Sequence, residues 1–199
     1  PGDYHAEVPD RENPSATALR RLLLNGEDWE SYVPPAAAEL FRGATLHSMA
    51  AGERAVLARL RTMTEAEFET VPYGGEGLWR RFMGACRTEA TLEAILEATK
   101  SKRYTRTRLD RMAICAFLGL QQEDLTGEAP YVRVLALNDR GRQVLAGARD
   151  TLPFVNAGAR REGEYARLER RCGDLYGLFA QGAPEAPGRV DRDRVGYVP

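Results

Sequence analysis

The apolar residues of this 199-residue chain recur mainly at helical spacing, and most of the elements they predict are helices. Residues 1 to 14 are polar and carry Pro9 and Pro14, which predicts an extended lead-in. Ser15 then stands as an N-cap before Ala16 to Leu24, where Leu19, Leu22 and Leu23 share a face and Asn25-Gly26 supplies a stop. Pro34-Pro35 opens a second helix. Residues 49 to 62 give a third, with Val56, Leu57, Leu60 and Met63 inward. Thr64-Glu65-Ala66-Glu67 fits a capping box. After a glycine-rich loop, Val71 to Gly77, the pattern predicts helices over 78–86 and 92–99. A basic stretch, Lys100 to Arg111, runs into the apolar helix Met112 to Leu118.

The period then changes. Tyr131 to Leu137 is β-branched and apolar and predicts a strand, Asn138 caps a short helix over 139–146, and Leu152 to Val155 predicts a second strand. These form a βαβ unit with a parallel pair. A last helix spans about 162–179, with Tyr165, Leu168, Cys172, Leu175, Tyr176 and Phe179 inward. Residues 181 to 199 hold little apolar content and are expected to pack loosely. The predicted fold class is mainly α: a helical domain with a small βαβ element near residues 131–156.

Composition narrows the function. Net charge is −1, which excludes a globally basic nucleic-acid coat. No apolar run is long enough to span a bilayer, and no signal-peptide core is visible. Cys86, Cys115 and Cys172 are far apart, so buried or free cytosolic thiols are expected in place of a disulfide framework. With only His5 and His47, no metal site is predicted. Of 28 cationic residues only Lys100 and Lys102 are lysines, so a single arginine carries little information. The chain begins at Pro1 without an initiator Met and reads as a piece of a longer protein.

Two stretches can carry chemistry. At the start of the first helix, unpaired N–H groups, the hydroxyls of Ser15 and Thr17, and the charge of Arg20 suit a phosphate; a Ser-capped surface helix is the plainer alternative. The segment 100–111 holds six cations (Lys100, Lys102, Arg103, Arg106, Arg108, Arg111) and one carboxylate, a local charge of +5. Tyr104 offers a ring for base stacking, and Thr105 and Thr107 offer hydroxyls. That points to nucleic acid or another polyanion. The alternative is a solvated helix face partly neutralised by Glu93, Glu97 and Asp110. Gly74, Gly75 and Gly77 allow close approach to a ligand or to another helix, and Asp174 could pair an arginine of the basic segment.

Four segments then occur in a telling order: Ser15-Ala16-Thr17-Ala18-Leu19-Arg20, Glu76-Gly77-Leu78, Lys102-Arg103-Tyr104-Thr105 with Arg106 to Met112, and Pro130 to Asn138. Together they resemble the C-terminal part of the bacterial tRNA(Met) cytidine acetate ligase family, whose N-terminal part is a HIGH-type nucleotidyltransferase domain. The resemblance implies a cytoplasmic enzyme that activates acetate with ATP and Mg2+ to acetyl-adenylate and acetylates N4 of the wobble cytidine of elongator tRNA(Met). It puts Ser15, Thr17 and Arg20 at the ATP phosphates. It puts Lys102, Arg103, Tyr104 and Arg106 against tRNA, and the charge reading of the segment adds Lys100, Arg108 and Arg111 to the expected tRNA-binding set. The resemblance divides the chain into 1–26 as the end of the nucleotidyltransferase domain, 27–180 as a helical tRNA-binding domain and 181–199 as a tail. Two positions depart from the family pattern: Arg106 stands where an aromatic is common, and Trp79 where a polar residue is expected. Neither His5 nor His47 has a HIGH-type context, so the resemblance places the catalytic histidines before Pro1 and makes this piece inactive alone. Two readings stay open beside it: an interaction module docking an acidic protein, and a related nucleotidyltransferase acting on a small molecule.

Overall fold

The computed structural model describes residues 14–126, 128–148, 153–192 and 194–197. The predicted lead-in before Pro14, with His5, and the predicted strand residue Leu152 lie outside them. The chain forms two compact units that divide between Leu46 and His47.

In the first unit, α1 spans Ala16–Asn25. Ser15 caps it, its hydroxyl oxygen accepting from the Ala18 N–H at 3.2 Å. Gly26, at φ 69, ends it in the left-handed conformation that glycine adopts without strain. A 3-10 turn, Glu30–Tyr32, leads to α2, Pro35–Phe41, which starts on a proline as the sequence predicts. Trp29 meets Phe41 edge-on at 6.0 Å between ring centres, and Arg42 grips Glu30 with two hydrogen bonds.

The second unit opens with five helices: α3 Glu53–Thr62, α4 Glu65–Glu69, α5 Leu78–Thr88, α6 Leu92–Thr99 and α7 Arg106–Leu118. The predicted inward faces are the observed ones: Val56, Leu60, Phe82, Ile95 and Leu96 are all buried. The capping box forms. Thr64 Oγ1 accepts from the Glu67 N–H, while the Glu67 carboxylate accepts from the Thr64 N–H at 2.8 Å. Led by that backbone bond, with Arg59 and the Thr64 hydroxyl adding, the Glu67 carboxyl falls from the ordinary 4.5 to about 2. Helix α7 starts six residues before its apolar part, because Thr105 caps it and the arginines of the basic stretch form its first two turns.

The α/β element follows. Strand β1 (Val132–Val134) pairs in parallel with β3 (Phe154–Asn156) across α8 (Asp139–Gly147), giving the expected βαβ unit. The predicted single strand 131–137 is broken at Leu135. Its second half, β2 (Ala136–Leu137), pairs instead with β4 (Gly196–Tyr197). The Leu135 carbonyl accepts from the Gly196 N–H at 2.9 Å.

Helix α9, Glu164–Tyr176, departs from its predicted face: Tyr165 and Tyr176 are 44% and 43% exposed. Glu169 takes an inward place instead. It accepts from the Tyr131 hydroxyl at 2.6 Å and from two nitrogens of Arg133 at 2.7 and 2.6 Å. Arg133 holds the Glu169 carboxyl below the ordinary range, and burial followed by Glu169 pushes the Tyr131 hydroxyl up. The described part of the tail is tied down despite its composition. Asp174 accepts from the Gly188 N–H at 2.6 Å, so it serves the tail and pairs with no arginine of the basic segment. A short helix, α10 (Arg189–Arg192), and β4 complete it.

Cys86 and Cys115 are buried and Cys172 half-buried; burial pushes the first two thiols to about 12 and about 11, so they are not thiolates. Among the described residues no His, Cys, Asp or Glu cluster could hold a metal ion, and no helix is long and apolar enough to cross a membrane.

Gly52 N-caps α3 against a ring. A Cβ there would lie 2.3 Å from Cδ1 of the fully buried Phe179. Gly52→Ala is expected to lower unfolding free energy by about 1–3 kcal/mol in denaturant titration, through overpacking.

Candidate functional site

The basic segment occupies the corner between α6 and α7. Helix α6 ends on buried Thr99, whose hydroxyl donates to the Ile95 carbonyl at 2.7 Å. Arg81 of α5 reaches across and donates to the carbonyls of Ala98 and Lys100, satisfying the open helix end. Ser101 and Tyr104 then exchange backbone hydrogen bonds, which closes a tight turn and presents Lys102 and Arg103 at its tip.

Tyr104 is not the stacking platform expected of it. The residue is 9% exposed, and its hydroxyl donates to the Glu76 carbonyl at 3.2 Å. The guanidiniums of Arg103 and Arg108 sit 5.8 and 5.2 Å from its ring centre. Its role is to pin the loop 73–77 to the corner and to carry two cations on its faces.

The six cations divide by partner. Arg106 is the most committed: it forks onto Glu93 at 2.6 and 2.7 Å, reaches Asp110 at 2.8 Å and lies 3.6 Å from Glu97. Those carboxylates raise its already high pKa, and it in turn lowers that of Glu93. It is therefore a structural clamp between α6 and α7, and neither the aromatic contact nor a free phosphate contact is available from it. Lys100 pairs with Glu97 at 3.1 Å. Arg103 and Arg108 both face Glu76. Lys102 and Arg111 are exposed and make no ion pair among the described residues; Arg111 lies 5.8 Å from the ring centre of Tyr73.

Helix α7 also breaks a local rule. It carries Arg106 and Arg108 in its first turns and no acidic residue in the first turn, so cations crowd its positive end. Such a conflict costs stability and is expected where an anion has to be attracted. Glu76 was not legible as part of this cluster, because it lies 28 residues before Tyr104. Of the nearby glycines, Gly74 serves packing, since a Cβ there would meet the Val71 carbonyl at 3.0 Å and Trp79 Cβ at 3.1 Å, while Gly77 has open space and supplies the left-handed turn at φ 79. Trp79, unexpected in polar terms, is buried in the core.

In the first unit, Ser15, Thr17 and Arg20 gather at the start of α1. Ser15 spends its oxygen on the cap, which leaves its proton to donate. Thr17 and Arg20 are exposed, and the first turn has no acidic residue. The N–H groups of Ala16 and Thr17 have no partner among the described residues. Donors, positive dipole end and absence of repulsion fit a phosphate group. His47 stands elsewhere, stacked on Tyr176 at 4.8 Å with Nε2 3.4 Å from Glu185.

Residues 2–189 match the model of the HIGH Nucleotidyl Transferase family. The chain belongs to that family. Among its relatives, this HIGH nucleotidyl transferase chain is 30% identical over 168 residues to the tRNA(Met) cytidine acetate ligase of Alkaliphilus metalliredigens, covering 76% of this chain and 39% of the relative. It is 26% identical over 190 residues to that of Bacillus cereus, covering 87% and 48%. The chain thus spans less than half the length of these curated relatives. Its fold is similar to that of apo Thermotoga maritima TmcAL, with a TM-score of 0.78 at 19% identity, over 98% of this chain and 53% of that one. It is equally similar to the same protein bound with alpha-thio ATP, with a TM-score of 0.79 at 20% identity, over 96% and 54%.

Because Arg106 is spent on carboxylates, Arg106→Ala is expected to cost about 1 kcal/mol of stability in thermal or urea unfolding, as a partly exposed network would. Any polyanion binding by the corner should change less than twofold.

Proposed function

We propose that this chain is the RNA-binding portion of an ATP-dependent tRNA(Met) cytidine acetate ligase, with the start of α1 contributing to the ATP site. What carries the reading is the pair Lys102 and Arg111: exposed cations without carboxylate partners, flanking a helix start that is itself positive. It is supported by relatives that carry the ligase name and match 76% or more of the chain.

Each exposed cation can neutralise one backbone phosphate and release a counterion, so affinity should fall steeply with salt. Arg108 joins them as a fixed donor, because its Nε is already anchored on the Tyr73 carbonyl at 2.9 Å. The turn at 101–104 supplies reach, and buried Tyr104 supplies rigidity. Acetylation of the wobble base needs the tRNA held while that base reaches the reacting centre, and a rigid cationic corner suits holding by phosphates better than reading by bases.

ATP, when bound, supplies the activation of acetate for acyl transfer. At the start of α1, the Ser15 and Thr17 hydroxyls and the open N–H groups would donate to its phosphates, and Arg20 would balance their charge. These residues bind and orient. Catalytic groups beyond them are assigned to the part of the enzyme that this chain does not span. ATP use and acetate as substrate follow from the ligase reading, and isolated 199-residue chain is expected to lack acyl-transfer activity.

Gel-shift titration of the chain with a tRNA(Met) transcript at 50 and 200 mM salt tests the RNA reading. Lys102→Ala combined with Arg111→Ala should weaken binding by about tenfold at low salt and lower the salt slope by about two, one for each lost phosphate contact. Unchanged affinity and slope in the double variant would overturn it.

A further inference from the structure

We propose that Glu76 is a built-in occupant of an RNA phosphate position: its carboxylate fills the gap between Arg103 and Arg108, and a backbone phosphate displaces it. The inference rests on the RNA-binding reading and adds to it a masked contact. The carboxylate oxygen Oε2 of Glu76 lies 3.2 Å from Arg103 Nη2 and 3.7 Å from Arg108 Nη1. Two guanidiniums therefore face one oxygen, above a buried aromatic ring that both touch. Paired guanidiniums converging on one oxyanion are suited to a phosphodiester, which can take forked hydrogen bonds from each.

The surroundings would survive removal of the carboxylate. Arg108 is fixed without it, since Nε donates to the Tyr73 carbonyl at 2.9 Å and Nη2 to the Gly75 carbonyl at 3.4 Å. The backbone of Glu76 is held by the Tyr104 hydroxyl on its carbonyl. Its φ of +62 is an unusual setting for a residue with a side chain, so the loop pays strain to keep a carboxylate there. Only the side chain has to move, and at 52% exposed it has water to move into. Exposed ion pairs of this kind are weak, so a phosphate can compete for the same donors. The mask has a consequence for selectivity. A single small anion gains little by evicting Glu76. An RNA already held by Lys102 and Arg111 delivers its next phosphate at high effective concentration. The masked pair thus favours a polymer over free phosphate.

Glu76→Gln keeps the side-chain shape and removes the charge. It should tighten binding of a tRNA(Met) transcript about three- to tenfold at 100 mM salt and steepen the salt slope by about one. Combining it with Arg103→Ala, at a side chain 66% exposed, should abolish the gain. Thermal melts of all three proteins check folding, and inorganic polyphosphate serves as a probe of charge alone. If the original chain binds tRNA and folded Glu76→Gln binds it no tighter, the mask is overturned and the RNA reading stands. A gain that persists with Arg103→Ala also overturns it. If tRNA does not bind but polyphosphate binding rises in Glu76→Gln alone, Glu76 screens the arginine pair from polyanions in general, and both the RNA phosphate position and the RNA reading are overturned. If neither probe binds either form, both are overturned.

Discussion

The burial of α7 is the constraint on which the larger unit depends. Leu109, Met112, Ala113 and Ala116 are all essentially removed from water, and they hold the helix against α3, α6 and α9. Each large apolar side chain so buried contributes about 1.5–3 kcal/mol, far more than any surface ion pair in the segment. Register follows from that inequality. With the apolar half of α7 fixed, its first two turns can lie only at the α6–α7 corner, and the arginines there have no apolar place to go. Core packing thus puts the cations where they are, and the cations did not choose the fold.

What the cations do next is settled by smaller energies. Arg106 finds three carboxylates and becomes a clamp, Lys100 is neutralised by Glu97, and Lys102 and Arg111 meet none. Six cations facing Glu76, Glu93, Glu97 and Asp110 leave the corner only mildly positive in sum, yet uneven in detail. A corner of that kind repels little of its own structure and still offers fixed donors to a polyanion. The cost is visible in the arginines at the positive end of α7 and in the left-handed backbone of Glu76. Both break local rules in the same few ångströms.

Much of this was legible in the sequence wherever a local rule governs. Ser15 and Thr64 cap their helices, Gly26 ends α1, and the apolar stripes of α3, α5 and α6 face the core, whereas the cap Thr105 that starts α7 early was not legible. The βαβ unit was legible because β-branched residues after Pro130 and a capping Asn138 leave few other choices. Three other things were not. Tyr104 looked like a free ring, because exposure is a property of packing and not of composition. Tyr165 and Tyr176 matched the helical period of α9, but Glu169 had a stronger claim to the inner face once Arg133 and Tyr131 could satisfy it. Glu76 and the basic segment meet only through the fold, so no local pattern joins them. Charge density along the chain carries the coarse chemistry of the corner, and the division of labour within it is set by the fold.

The central claim is that the unpaired side of this corner, and not the whole basic stretch, meets RNA. The two lysines of the chain make that directly measurable, since Lys100 is paired with Glu97 and Lys102 is not. Amine-acylation rates at each can be followed by mass spectrometry with and without bound tRNA(Met) transcript. The account predicts strong protection of Lys102 and little change at Lys100. Bound tRNA that leaves the Lys102 rate unchanged would contradict it.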